Sequence, residues 1–424
     1  MPLDLSTLRA EFPALERYPN VVFFDNPGGT QIARQAIEQI NQYLVQHNAN
    51  RGGAFRSSRD SDFVLDEARR AAAEFFNAAY PEEIIFGNNM TTLTFHISRS
   101  LAHLWQPGDT IAVTRLDHDA NITPWVLAAE ARGVSVEWVD FDPETGLLDL
   151  EDLQRVLVQR PRLLAIGYAS NALGTINPIR KIVNWAHANG TLVYVDAVQY
   201  AAHAPIDVQM LGCDFLVVSS YKFFGPHAAM LYGRRDLLES LFAYKVRPAS
   251  PNPPGKFETG TQNHEGIAGI LGALEYLAWV GETFGTEYQA HYPQLSGRAL
   301  HLKTGMEAVR AYEFEISRAV LTTLQQIPGL RLYGPADVRH LEQRVPTFAF
   351  TLQNWHPKQL AQALAAREIY VWSGNYYALA VTERLGLEQS GGMLRVGPVH
   401  YNTRHEIDLL HQALLDLAKM PRVE

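Results

Sequence analysis

The sequence is almost without cysteine: Cys213 is the single thiol in 424 residues. One thiol cannot build an intramolecular disulfide framework, and this scarcity predicts a reducing, cytoplasmic setting. Long apolar runs are missing too. The longest, Gly266 to Val280, is interrupted by Glu275 and is shorter than the roughly 20 residues a membrane span needs. It predicts a buried helix and no membrane association. Positive charge is in deficit, with 36 Lys and Arg against 45 Asp and Glu and a net charge of -9. No basic run is present that could follow a phosphate backbone, so nucleic acid is not an expected partner. The opening MPLDLSTLRAEF lacks a basic-then-apolar leader, so a secretory signal is not expected. No G-x-G-x-x-G follows the early strands, which disfavours a dinucleotide-binding oxidoreductase.

What is present is an ordinary apolar share of 47%, enough for a sizeable core, in a chain long enough for two or three domains. Helical spacing appears in Ile37, Ile40 and Leu44, and again in Val64, Ala68, Ala71 and Phe75. Seven short apolar runs then alternate with helical stretches: 83–87, 110–115, 134–141, 163–170, 191–197, 215–220 and 228–233. Several are apolar on both faces, which predicts a mainly parallel sheet flanked by helices. After Pro253-Pro254-Gly255 a long helical region is expected from about Gly266 to Gln326. Beyond it, strands are predicted at 330–333, 346–352 and 393–396. A last helix is expected to open on the capping pair Thr403 and Glu406. The fold class is therefore α/β. The expected division is a segment 1–29 packing with the small domain, a large domain 30–285, and a small α+β domain 286–424.

Ligands of open α/β sheets bind beyond the carboxyl ends of the strands, so polar residues there carry the chemical information. Gly87-Asn88-Asn89-Met90-Thr91-Thr92 follows a strand and opens a helix, an arrangement suited to a phosphate but equally to simple capping. His118 could stack on a planar ring or be an ordinary core histidine. Asn171 could donate to an anionic oxygen or serve a turn. Asp196 closes a nearly continuous apolar strand. An acid there is expensive to bury unless a cation, such as a protonated pyridine nitrogen, meets it. Lys222, between an apolar strand and Phe223-Phe224, is poorly placed to remain a solvated cation, and desolvation frees its amine for an aldehyde. Each feature alone has a bland reading; their order along the chain, each at a strand end, favours one pyridoxal 5'-phosphate (PLP) site.

The motifs Ser219-Ser220-Tyr221-Lys222 with Gly225-Pro226, Asp196 with Gln199, Ser170 to Thr175, and His118 with Ala120-Asn121 occur in that order. Together they resemble the class V aminotransferase family of PLP-dependent fold-type I enzymes, in its cysteine desulfurase-like branch. The likeness runs from Phe24-Asp25-Asn26 to Tyr401-Asn402-Thr403. It implies Lys222 as the amine that joins the cofactor aldehyde and then moves protons at the substrate Cα. It implies Asp196 on the pyridine nitrogen, Gln199 on the phenolate oxygen, and His118 stacked on the ring. Met90, Thr91 and Ser219 are implied at the phosphate, with Tyr221 where the family has a helping histidine. Asn171 is implied near the substrate carboxylate and ring oxygen, and Arg395 as the clamp on that carboxylate. Thr261 matches a residue that reaches the phosphate of the neighbouring subunit, which implies a homodimer with shared sites. No metal is part of this set.

Besides Tyr221, the chain departs from that branch in one loop. Val371-Trp372-Ser373-Gly374-Asn375-Tyr376-Tyr377-Ala378 contains no thiol, and Tyr377 falls where the desulfurase cysteine is expected. Trp372 replaces an arginine, so Trp372, Tyr376 and Tyr377 predict an aromatic substrate pocket. Cys213 reads as a small buried hydrophobe. The expected activity is Cα deprotonation of an amino acid followed by β-elimination, of C–S lyase type, without a cysteine persulfide. Transamination and epimerisation are the alternatives among enzymes, with Tyr376 or Tyr377 as the second acid in the latter. A PLP-fold regulatory or binding protein is the non-enzyme alternative.

Overall fold

The computed structural model describes residues 3–420. Thirteen strands are present: β1 (Val22–Phe23), β2 (Ile84–Gly87), β3 (Thr110–Thr114), β4 (Ser135–Val139), β5 (Leu163–Gly167), β6 (Leu192–Asp196), β7 (Phe215–Ser219), β8 (Ala229–Gly233), β9 (Leu330–Tyr333), β10 (Phe348–Leu352), β11 (Ile369–Tyr370), β12 (Trp372–Gly374) and β13 (Met393–Val396). The helices that matter below are α1 (Arg34–Gln42), α2 (Arg56–Phe76), α3 (Met90–Leu101), α4 (Ile179–Ala188), α5 (His264–Phe284), α6 (Gly297–Gln325) and α7 (Arg404–Ala418).

The seven expected runs form one seven-stranded sheet in the order β2-β8-β7-β6-β5-β3-β4. Only β8 runs against its neighbours, pairing antiparallel with both β2 and β7. Every residue of β5, β7 and β8 is buried, as two-sided helical cover requires. A second sheet, β12-β13-β10-β9, carries the last hundred residues. The sequence reading did not include the short strands β1, β11 and β12. β1 pairs in parallel with β11, which ties the start of the chain to its end. The capping box of α7 is present as expected, with Thr403 and Glu406 each satisfying the other's backbone.

The long helical region resolves into α5 and α6. Helix α5 is long and apolar enough to cross a membrane by length and composition, but most of it is buried inside the fold. Glycines let its neighbours approach closely. A Cβ on Gly272 would lie 2.3 Å from the Gln35 carbonyl of α1, and one on Gly305 would lie 2.4 Å from Leu277 O. This close approach corrects the reading of α1. Ile37 and Leu44 are 40% and 47% exposed, and the buried positions are Ala36 and Tyr43. The face pressed against α5 carries Ala36 at Gly272 and Ile40 at Gly269, so of the expected stripe Ile40 packs inward while Ile37, and Leu44 just past the helix, face out.

Candidate active site

The carboxyl ends of β5, β6 and β7 and the start of α3 converge on one cavity. It is lined by Met90, Thr91, Asp117, His118, Asn171, Asp196, Gln199, Ser219, Tyr221 and Lys222, among others. Nine of these ten were singled out from the sequence; Asp117 was not.

Lys222 ends the turn after β7, and its Nζ donates to the Pro27 carbonyl at 2.7 Å. Burial, with help from the Arg395 guanidinium and against the pull of Asp196, pushes its amine down to about 7. Asp196 ends β6, and its Oδ1 accepts the Val198 N–H at 2.9 Å. Burial pushes this carboxyl up to about 6, with the Val198 N–H and Lys222 opposing. Asp117 is buried and accepts from Gly167 N, Thr114 Oγ1 and Asn121 Nδ2. Its carboxyl is nevertheless pushed up to about 7, chiefly by burial. His118 accepts the Ala120 N–H on Nδ1 at 3.0 Å, so the neutral ring carries its proton on Nε2. Burial and the nearby Lys222 and Arg395 hold it down to about 3.

At the other end of the cavity, Asn89 caps α3 by accepting the Thr92 N–H, and Met90 N donates to Ser219 Oγ at 3.1 Å. A helix start with hydroxyls beside it suits an anion. Gln199 donates to Thr347 Oγ1 at 3.0 Å, while its Oε1, like Asn171 Oδ1, is buried without a partner. Because the Thr347 hydroxyl can donate or accept, the Gln199 amide can turn over and present either end. The buried acid with no cation, the unused amide ends and the desolvated amine fit pyridoxal phosphate.

The loop from the small sheet closes over this cavity. Arg395, on β13, is 3% exposed and donates to the Asn171 carbonyl at 2.7 Å. Its guanidinium lies 4.2 Å from the centre of the Tyr376 ring. Asn171 Nδ2 donates to Tyr376 O at 2.9 Å, and Asp119 N donates to Tyr377 O at 2.7 Å. Tyr376 and Tyr377 both have positive φ, 56° and 59°, an uncommon pair for bulky residues and a mark of local strain. The Tyr377 ring stacks on His118 at 5.7 Å with 19° between planes.

Two expected residues stand apart. Trp372 is 51% exposed, and its indole lies over Gly28, where a Cβ would meet its Nε1 at 2.2 Å. Thr261 is exposed on the chain before α5 and does not line the cavity. Sequence reasoning missed Asp25, whose buried carboxyl is pushed up to about 6, and the Pro27 carbonyl that holds Lys222. The run Asn26-Pro27-Gly28-Gly29 was the available signal, because glycines allow backbone to approach a site closely. Arg344, buried behind Thr347, left no local signal.

A sheet of this order, with a desolvated lysine, a buried acid and a partly buried histidine beyond the ends of β7, β6 and β3, defines a PLP-dependent enzyme of the fold-type I class. Comparison with known proteins agrees. The family described as aminotransferase class-V matches residues 22–301 and 285–410, and the chain belongs to it. It is 32% identical to a cysteine desulfurase of Pectobacterium atrosepticum, with 97% of each chain covered. It is equally 32% identical to the aminotransferase-like protein FGM3 of Gibberella zeae, over 97% of this chain and 98% of that one. Among solved structures, the apo cysteine desulfurase of Thermococcus onnurineus NA1 superposes with a TM-score of 0.85 at 25% identity, covering 99% of both chains. The cysteine desulfurase CsdA of Escherichia coli gives 0.82 at 25% identity, covering 98% of this chain and all of that one. The chain is a cysteine desulfurase-like, PLP-dependent enzyme.

Proposed function

We propose that this enzyme removes the Cα proton of an amino acid and expels its β-substituent, as a C–S lyase does, without forming a persulfide on the protein. The observation that carries this reading is the loop beside His118, where Tyr377 stands and no thiol is present. The only cysteine, Cys213, is buried just before β7. Burial, with Asp214 adding to it, raises its thiol far above the range in which a thiolate forms near neutral pH.

When bound, pyridoxal phosphate supplies an electron-withdrawing ring that acidifies the substrate Cα–H. The chain's residues do the rest. Arg395 pairs its planar fork with the substrate carboxylate. Lys222, with its amine near neutrality, accepts the Cα proton at Nζ. Asp196 would keep the pyridine nitrogen protonated, and neutral His118 would pack on the cofactor. Thr91, Ser219, the Met90 N–H and the Tyr221 hydroxyl would hold its phosphate, and the turned amide of Gln199 would donate to its phenolate oxygen. The Cβ–S bond breaks with its electron pair leaving on sulfur, and water hydrolyses the released enamine, so cysteine would yield sulfide, pyruvate and ammonia. Epimerisation draws less support, because the Tyr376 hydroxyl is already committed to the Met393 carbonyl.

The test is a panel of β-substituted amino acids assayed for pyruvate and leaving group, with the intact protein mass recorded during turnover. Stoichiometric pyruvate and leaving group with no added sulfur on the chain are expected, and Lys222→Ala should release neither product. A persulfide on Cys213, or turnover that requires a 2-oxo acid, would refute the proposal.

The assembly we propose is a cytoplasmic homodimer of chains divided at about 29 and 285, with Thr261 reaching the partner's phosphate. Exposed Thr261 and the exposed apolar side chains Ile37, Leu44, Val45, Phe55 and Phe63 support it, since such patches mark interfaces. Light scattering at the mass of one chain would refute the dimer, and unchanged PLP affinity in Thr261→Ala would refute the shared site.

A further inference from the structure

A second cavity lies apart from the PLP site. It is a cleft of about 690 Å³ between α4 and α6, bounded by the segment before β10, and its volume is within the range of small-molecule sites. We propose that it binds a small organic anion carrying a planar ring, and that this ligand regulates the adjacent active site.

Helix α4 points its first turn into the cleft: Pro178, Ile179, Arg180 and Lys181 all line it. The helix begins with no side-chain cap and no acidic residue in that turn. Basic residues are disfavoured at a helix start, where the dipole is already positive, and an anion relieves both. Among the described residues neither Arg180 nor Lys181 forms an ion pair. Arg344 adds an independent pointer. It is 2% exposed, lines the cleft, and its Nε has no hydrogen-bond partner. The acids on the wall each have a histidine partner, Glu313 Oε2 with His203 at 2.8 Å and Glu342 with His340 at 3.1 Å, while Glu313 Oε1 is left buried without one.

The flat component follows from the other wall. Tyr168 and Tyr200 stack at 3.7 Å with 4° between planes, and Trp185 stands beside them with Lys181 Nζ 4.6 Å from its ring. Such surfaces take a ring face to face.

The same residues are one bond from the PLP site. Tyr168 N donates to the Asp196 carbonyl at 2.7 Å, and Asn177 Nδ2 to Gly167 O at 2.8 Å. Arg344 donates to the Thr347 carbonyl, and the Thr347 hydroxyl accepts from Gln199. A ligand that draws Arg344 or shifts Tyr168 therefore moves groups that hold Gln199 and Asp196.

The experiment uses PLP-loaded enzyme, so the active-site phosphate position is filled. Adenosine 5'-monophosphate, phenyl phosphate, indole-3-acetate and inorganic phosphate are titrated while tryptophan fluorescence and the cofactor absorption band are followed. At least one ring-bearing anion is expected to quench saturably below 1 mM, at least tenfold tighter than inorganic phosphate, with the quench lost in Trp185→Phe. Arg180→Glu with Lys181→Glu, both exposed positions, should weaken it at least tenfold and leave activity without ligand unchanged. Saturating ligand should change kcat/KM at least twofold in the wild type only. The proposal is overturned if no ring-bearing anion saturates below 10 mM, if binding survives the double charge reversal, or if binding leaves kcat/KM unchanged.

Discussion

Replacing Arg395 by methionine separates carboxylate binding from the electrostatics of the lysine. Methionine keeps the stem volume against Tyr376 and removes the charge. In the native site the guanidinium spends one N–H on the Asn171 carbonyl and has a buried Nε with no partner, which leaves donors free for a substrate. Hydrogen bonds to a charged group contribute roughly 1.5–3 kcal/mol. At 1.36 kcal/mol per decade, losing one such bond raises KM about 10- to 150-fold. A second effect follows from the position of the charge. Arg395 is the largest influence after burial holding the Lys222 amine down to about 7, so its removal must raise that value. The cofactor-free variant should therefore combine with pyridoxal phosphate through a pH profile displaced to higher pH than the wild type. Steady-state kinetics across pH and stopped-flow cofactor uptake measure the two effects independently. An unchanged KM would refute the clamp, and a profile displaced to lower pH would refute the repulsion between the two cations.

Three further perturbations probe other parts of the fold. Tyr377→Cys should place an accessible thiol beside His118, so a maleimide should label position 377 in the native variant while Cys213 stays unlabelled until denaturation; native labelling of Cys213 would contradict its burial. Arg69 and Glu258 form a two-bond ion pair at 2.8 and 3.1 Å, each side chain 8% exposed. Removing one partner of such a pair costs about 3–5 kcal/mol, so Arg69→Met should lower the urea midpoint accordingly, and a loss under about 1 kcal/mol would count against the pairing. His400 is fully buried against the Tyr276 hydroxyl and is held down to about 3, chiefly by burial. Below roughly 6.5, the ordinary histidine value, the unfolded chain takes up a proton that the folded chain refuses until about 3. The stabilisation from neutral His400 is thus complete above 6.5 and is lost as pH falls. The stability gap between wild type and His400→Gln should narrow between pH 7 and 4, and a widening gap would reverse the assignment.

The chemistry was legible where it was local. Lys222, Asp196 and the start of α3 each sit at the end of an apolar run, and the run itself announces the strand that presents them. Long-range pairing left no such trace. β11 and β12 are two and three residues long, too short for a period to show, and exist because β1 and β13 supply their partners. Arg344 and Thr347 stand behind Gln199 through contacts that no spacing encodes. Ile37 and Leu44 looked like a core stripe because helical period does not say which face meets a glycine.

The loop at 374–377 joins both cases. Its lack of a thiol is plain in the sequence, but why a phenol can stand there is visible only in three dimensions. The loop is anchored to the site through main-chain oxygens, Tyr377 O to Asp119 N and Tyr376 O to the Asn171 amide, bonds that use neither tyrosine side chain. Residue 377 is itself 75% exposed, so its identity costs the core nothing. A position fixed by its backbone and free in its side chain can change its chemistry without moving the residues around it. Position 377 is of that kind, with Lys222, Asp196, His118 and Arg395 held in place beneath it by contacts that its side chain does not make.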